Sequence, residues 1–383
     1  MNAIEKMVAE LCPEGVELFK LSEIAHYSKT RVDASTLNEN NYVGVENLLQ
    51  NKRGKTKASS IPSIRVAGFQ KGDVLIGNIR PYLRKIWLAD IDGGASGDVL
   101  TICINNRNLV FPQYLYTILA SEKFFVYNNQ RARGGTMPRG DKKAVMRFEI
   151  PVPPLAIQRK IVEYLDPFAE LTAELTAELT AELTARRKQF EYYREKTLAF
   201  GDNFPYEDMA TVCDVRTGVQ FNKVDMKPSG TYPVINGGVN PSGFIEQYNQ
   251  DANRITISQG GASAGYVNWL STRFWAGAHC YVISPKEKLV NRFLYHYLKS
   301  QERFLQKAKS GAGIPMLAKK SVSTFKIPIL PIKEQKKFVS LLDPFEALCS
   351  DLSSGLPAEI AARQKQFEYY RDLLLTFPRK GTD

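Results

Sequence analysis

The chain has 383 residues, 44% of them hydrophobic, which is more than one core organises and enough to exclude a disordered chain, so two or more domains are expected. Lys and Arg outnumber Asp and Glu by 51 to 40, giving a formal charge of +11 and a pI near 9.2, a balance that suits a polyanionic partner such as nucleic acid or an anionic membrane surface. No run of about 18 apolar residues occurs, and MNAIEKMVAELCPEG lacks the apolar core of a signal peptide, so a cytoplasmic chain with no membrane association is the expectation.

After a short N-terminal helix, the region at about 15–150 carries three β-rich stretches, DVLIG (73–77), RKIWLAD (84–90) and DVLTICI (98–104), that read as strands. GGASG (93–97) reads as a turn. A helix follows at about 112–129, then the basic loop GGTMPRG (134–140), then a short strand with prolines, FEIPVPP. Next comes a tetrapeptide array, FAEL-TAEL-TAEL-TAEL-TA, which places Leu171, Leu175, Leu179 and Leu183 in register. Ala, Glu and Leu are strong helix formers, and a four-residue period is close to one turn, so these leucines form a stripe drifting by about 40° per repeat. Such a stripe needs another helix to cover it.

The region at about 204–330 repeats the layout: RITIS (254–258), GYVNW (265–269) and HCYVIS (279–284) as strands, a helix at about 290–308, the loop GAGIPML (311–317), and FKIPILP. Identity returns in the helical segments. FEIPVPPLAIQRKIVEYLDPF at 148–168 matches FKIPILPIKEQKKFVSLLDPF at 325–345, and RRKQFEYYREKTLAF at 186–200 matches RQKQFEYYRDLLLTF at 363–377, both at an offset of 177. The stretch between them therefore keeps its length although its composition differs. Adding the offset to the leucine stripe gives Leu348, Leu352, Leu356 and Ile360, so the apolar register survives in the second copy.

The two stripes are each other's obvious partners, and antiparallel pairing is expected. Gly355 and Pro357 predict a break or restart in the second copy. Asp166–Pro167 and Asp343–Pro344 look like an N-cap followed by the first helical position, with a kink after the preceding segment as the alternative. The expected fold class is α+β: two mixed α/β domains separated by two long helical spacers that pair as an antiparallel coiled coil, with a pseudo-two-fold internal repeat. Boundaries fall at 1–154, 155–201, 202–331 and 332–383.

Tandem TAEL repeats, the IPxPPLxxQ-type exit and the KQFEYYR helix end together resemble the specificity subunits of Type I restriction–modification systems, and the resemblance covers the whole chain. It implies two target-recognition domains, each reading one half of a bipartite site in double-stranded DNA. It also implies spacers whose TAEL count sets the gap between half-sites and which dock two modification (methyltransferase) subunits. Restriction (motor and nuclease) subunits join the larger assembly. No catalytic residue and no cofactor of this chain are implied; S-adenosylmethionine, ATP and magnesium belong to the partner subunits.

Phosphates are held chiefly by Lys and Arg, so stretches poor in acid are the DNA-binding candidates. These are Lys52, Arg53, Lys55 and Lys57; Arg131, Arg133, Arg139, Lys142 and Lys143 around GGTMPRG; and Arg303, Lys307, Lys309, Lys319 and Lys320 at the corresponding place in the second region. Base reading needs bidentate donors or amides at loop tips, which suggests Arg80, Arg84 and Lys85, and Asn236, Asn240 and Gln259. Tyr192, Tyr193 and Arg194, with Tyr369, Tyr370 and Arg371, read as core first and as partner-docking surface second.

Other chemistry finds little support. GKT at 54–56 lacks the first glycine of a P-loop, whose place is taken by Leu49, and GGASAG at 260–265 lacks the order and the helix of a dinucleotide loop. The five cysteines have no C-x-x-C spacing and read as buried thiols. His26, His279 and His296 are too dispersed to predict a metal site or a proton-transfer pair.

Overall fold

The computed structural model describes residues 3–51, 54–201, 204–311, 315–350 and 355–381. The chain forms two compact units, Met1–Ala177 with Ala361–Asp383, and Glu178–Ile360. Each unit thus combines one mixed α/β region with part of both helical segments.

In the first unit a four-stranded antiparallel sheet has the order Ala25–Tyr27, Val99–Ile104, Val74–Gly77, Ile86–Leu88. Its centre reads as a continuous apolar run because both faces are covered: Val74 and Ile76 enter the main core with Ile102, Tyr114 and Phe124, while Leu75 packs on the other side with Phe69 and Trp87. A second four-stranded sheet has the order Arg31–Val32, Val66–Phe69, Gly93–Ala95, Tyr42–Val43. GGASG is therefore strand at its start and turn only from Gly97; Gly93 and Gly94 lie in the sheet interior, where Phe69 pairs with Gly93.

The second unit repeats the first sheet as Cys213–Thr217, Cys280–Pro285, Arg254–Ser258, Val267–Leu270. Along Cys280–Pro285 the side chains alternate, Tyr281 and Ile283 facing the main core and Cys280 and Val282 the smaller one. Each predicted domain helix is in fact two, Pro112–Leu119 with Glu122–Gln130, and Asn291–Ser300 with Glu302–Lys307. In the first, the Ser121 hydroxyl accepts the Phe124 amide at 3.2 Å and starts a new helix.

The same buried side chain seats each domain on its helical segment. Gln158, fully buried, accepts the Phe111 amide (2.8 Å) and donates to the carbonyls of Leu109 (2.8 Å) and Pro153 (2.7 Å). Gln335, equally buried, accepts the Val290 amide (2.7 Å) and donates to Lys288 (2.8 Å) and Leu330 (2.7 Å).

The first helical segment is one helix, Leu155–Thr197, and Pro167 lies inside it; Pro344 likewise lies inside Ile332–Ser350. Neither Asp-Pro pair starts a helix. Proline removes one intrahelical hydrogen bond, and at both sites apolar packing of the flanking turns, through Leu165 and Leu342, holds the helix through it. The restart near Pro357 is present, as the helix Leu356–Leu374.

Antiparallel pairing is seen within each unit. In the first, Phe168 meets the rings of Phe367 and Tyr370 at 5.4 and 5.8 Å, and Leu374 and Leu375 pack on the core that contains Leu165. In the second, Arg187 donates twice to the Cys349 carbonyl (3.2 and 3.1 Å), and Phe200 meets Phe338 at 5.6 Å. Leu175, Leu179, Leu183, Leu356 and Ile360 are half-buried, whereas Leu171 and Leu348 are exposed, 61% and 42%. A drift of about 40° per repeat turns the first leucine of the array some 120° away from the fourth, and that rotation takes both out of the seam. Leu352 lies outside the described residues.

Candidate nucleic-acid interface

In the first unit the strand Val74–Gly77 runs into the loop Asn78–Arg80, and residues 133–139 fold against it as a small hairpin. Arg133 and Arg139 exchange backbone hydrogen bonds (2.9 and 2.8 Å), the Arg80 amide donates to the Pro138 carbonyl (2.7 Å), and the Gly140 amide donates to the Asn78 carbonyl (3.0 Å). The second unit repeats every one of these bonds where Arg254–Ser258 runs into Gln259–Gly261. Ser310 and Met316 pair (2.9 and 2.8 Å), Gly261 donates to the Pro315 carbonyl (2.9 Å), and Leu317 donates to the Gln259 carbonyl (2.7 Å). Two loops distant in sequence are zipped into one edge in each unit, with a shared backbone and different side chains.

On the first edge Arg80, Arg133 and Arg139 are exposed. Arg133 and Arg139 hold Asp141 at 3.5 Å and Asp98 at 3.2 Å, with most of each guanidinium still in solvent, so these pairs are weak and exchangeable. The corresponding second edge presents Gln259, Ser310 and an exposed Met316. Directly after the hairpin, Lys142 and Lys143 open the helix Lys142–Met146, and Lys319 and Lys320 open Lys319–Ser323. All four lysines are exposed. The two units thus share one pair of cations and differ in the edge beside it.

Other candidates are placed differently from expectation. Lys85 is buried, its ammonium donating to the Val45 carbonyl at 2.5 Å, and burial pulls its pKa below the usual lysine value; its side chain is turned inward rather than presented to a partner. Arg84 is half-buried and bound to Glu122 at 2.6 Å. Lys52 and Arg53 lie outside the described residues. Lys57 pairs with Glu39 at 2.5 Å, and Lys55 donates to the Asn40 carbonyl at 2.7 Å while lying 5.1 Å from the Trp87 ring. A stretch free of acid in sequence is therefore partly neutralised in space. Arg131 stacks on Tyr127 at 3.7 Å. Asn236 accepts the His279 amide at 3.2 Å and braces a turn, whereas Asn240 is exposed. Arg303, 3.9 Å from Glu195, is largely exposed, as are Lys307 and Lys309.

The tyrosine–arginine clusters divide between the two readings, core and docking surface. Tyr192, Tyr193, Tyr369 and Tyr370 are exposed, while Arg194 and Arg371 are buried. The arginines cannot form a docking surface, because the domains cover them: Arg371 reaches the carbonyl of Ala120 at 3.4 Å, and Arg194, stacked 4.9 Å from Phe190 of its own helix, lies close enough to Tyr295 and Lys299 of the domain to act on their charges.

His296, Asp343 and Glu346 bring potential metal-ligand atoms within 4.8 Å of one another, a cluster invisible in the sequence. Arg292 occupies it instead, pairing with Asp343 at 2.7 Å and with Glu346, while His296 Nε2 lies 2.7 Å from Asp343 and the Tyr295 hydroxyl donates to Glu346 at 2.6 Å. A guanidinium already bound to both carboxylates leaves no seat for a cation. Burial pulls the His296 pKa below the ordinary value, against the opposing hydrogen bond to Asp343.

The family of Type I restriction modification DNA specificity domains matches residues 13–185 and 204–362. A putative type I restriction enzyme specificity subunit of Haemophilus influenzae is 33% identical over 295 residues, 72% of this chain and 74% of that protein. A type I restriction enzyme specificity subunit of Escherichia coli is 30% identical over 308 residues, 74% and 75% of the two chains. A chain from a solved type I R-M system has a TM-score of 0.61 at 21% identity, covering 94% of this chain and 97% of its own, a likeness of fold.

Proposed function

Since the chain belongs to the Type I restriction modification DNA specificity family and is a specificity subunit rather than a catalytic one, we propose that each of its units reads one half of a two-part site in double-stranded DNA. The observation that carries this reading is the zippered loop edge, built from the same backbone bonds in both units, flanked by the same pair of exposed lysines and differing in its remaining side chains. Contacts to phosphate position a protein on any sequence, and contacts to base edges select one. A shared cation pair suits the first task and a variable edge the second.

The paired helical segments fix the gap between the half-sites. One TAEL unit adds about 6 Å of helix, while one base pair adds about 3.4 Å of duplex, so the scales are commensurate. Deleting Thr176–Leu179 shortens the gap and leaves both half-site sequences unchanged.

The exposed tyrosine pairs, one on each copy of the KQFEYYR segment, form two equivalent docking surfaces for two modification subunits. Restriction subunits join that assembly, and S-adenosylmethionine, ATP and magnesium act on the partners.

Footprinting of the chain with its modification subunits on duplex DNA is the test. Two protected patches separated by an unprotected gap are expected, with affinity falling steeply as salt rises. One contiguous patch refutes the two-reader reading.

A further inference from the structure

We infer that Arg80 is a specificity-determining residue of the first unit, and that it reads a base edge, with guanine the base its planar fork fits. The inference rests on the half-site reading above and assigns one residue within it.

Arg80 has φ +51°, in the left-handed region that residues with a side chain resist. The backbone bonds of the zippered edge identify its equivalent in the second unit, because Arg80 and Gly261 make the same bond to Pro138 and Pro315. Gly261 has φ +75°, and four residues on the pattern recurs, Arg84 at φ +52° against Gly265 at φ +88°. The turn calls for glycine at both positions, and the second unit supplies it. The first unit carries arginine at both.

Arg84 has an internal reason, its ion pair with Glu122 at 2.6 Å. Arg80 has none: it is exposed, and among the described residues no carboxylate pairs with it. An unfavourable backbone conformation kept for a side chain that the chain itself does not use points to an outside partner. The side chain lies on the edge that Arg133 and Arg139 flank, and an added Cβ at Gly261 would meet nothing within 4 Å, so this turn position opens to solvent in the second unit too.

Base rather than phosphate follows from the comparison of the units. Phosphates are the same on every sequence, and the lysines that both units share, Lys142 and Lys143 with Lys319 and Lys320, suffice for them. An arginine present in one unit alone fits a contact that must differ between half-sites, and its two parallel N–H donors match O6 and N7 of guanine in the major groove.

The test uses the full chain in complex with its modification subunits, selected on a randomised duplex DNA library. The wild type is expected to enrich a two-part motif with a guanine in one half-site. Arg80→Gly is expected to lose discrimination at that single position, by roughly ten- to hundred-fold, with the other half-site and the gap intact. Its thermal midpoint stays unchanged or rises, because glycine suits the turn. Arg80→Lys, which keeps the charge but not the fork, is expected to lose the same discrimination. Uniform weakening on all sequences with the motif preserved in both variants overturns the inference and assigns Arg80 to phosphate. A wild-type complex that enriches no two-part motif overturns the half-site reading itself.

Discussion

The two units seat their domains on the helical framework through equivalent positions and with opposite chemistry. Asp166 and Asp343 are one repeat apart, and the bonds of Gln158 to Phe111 and of Gln335 to Val290 align the facing helices. Gln113, Tyr116 and Thr117 of the first unit then stand where Arg292, Tyr295 and His296 stand in the second. The first contact contains no ion pair among the described residues, whereas the second concentrates Arg292, His296, Asp343, Glu346 and Tyr295 into one network. The framework therefore demands the buried glutamine and tolerates either an uncharged or an ionic contact around it.

The largest effect that would break this contrast is expected from Arg292→Leu. It strips both carboxylates of their cation and should cost about 3 kcal/mol in thermal or denaturant unfolding, while Gln113→Leu in the first unit stays near neutral. Equal losses from the two substitutions would mean that the contacts are not chemically distinct. Gln158→Leu and Gln335→Leu sharpen the comparison from the other side. Each leaves a buried amide and two carbonyls without partners, so each should cost about 2–3 kcal/mol, and the losses should match.

Acid separates the units further. His296 has a folded pKa below its unfolded value near 6.5, so its neutral form contributes stability above that value, and the contribution is lost as pH falls through the lowered folded pKa. Thermal midpoints should decline as pH is lowered from 6.5 towards 5. His296→Thr should flatten the decline, and an unchanged slope in that variant would remove His296 from the cause.

The smallest effect concerns Asp166. It sits at the exposed rim, where partial burial, reinforced by Glu170, still pushes its carboxyl above the ordinary value. A raised folded pKa favours folding below the usual carboxylate range and ceases to do so as pH rises through it. At neutral pH Asp166→Asn should gain stability, by no more than about 0.5 kcal/mol for so exposed a site, measured as a small rise in midpoint that vanishes in acid.

The six strand stretches and the paired helical segments were legible because β-branched runs and strong helix formers carry their own period, and the offset of 177 announced the duplication. The split of each domain helix was not, since a hydroxyl cap at Ser121 interrupts no apolar pattern. Pro167 and Pro344 misled because proline is read as a boundary, whereas tertiary packing overrode it. Among the basic candidates, runs without acid reflect only neighbours in sequence and miss Glu39, which reaches Lys57 from elsewhere. The equivalence of Arg80 with Gly261 leaves no trace in residue identity; only the backbone bonds reveal it. In the KQFEYYR segments the core reading holds for Arg194 and Arg371, which are buried, and fails for the tyrosines beside them, which are exposed, because a helix end carries both faces within one short motif.

The first unit draws on chain from both sides of the second. Leu374, Leu375 and Phe377 complete its core, Arg371 reaches Ala120, and Val16 exchanges backbone bonds with Pro378 (2.8 Å) and Lys380 (3.2 Å), whereas the second unit is a single unbroken stretch. During synthesis on the ribosome, the half made first therefore waits for residues made after the whole of the second unit, although domains generally fold in the order they emerge. A premature stop after Ile360 would spare the later-made half and leave the earlier one with an open core.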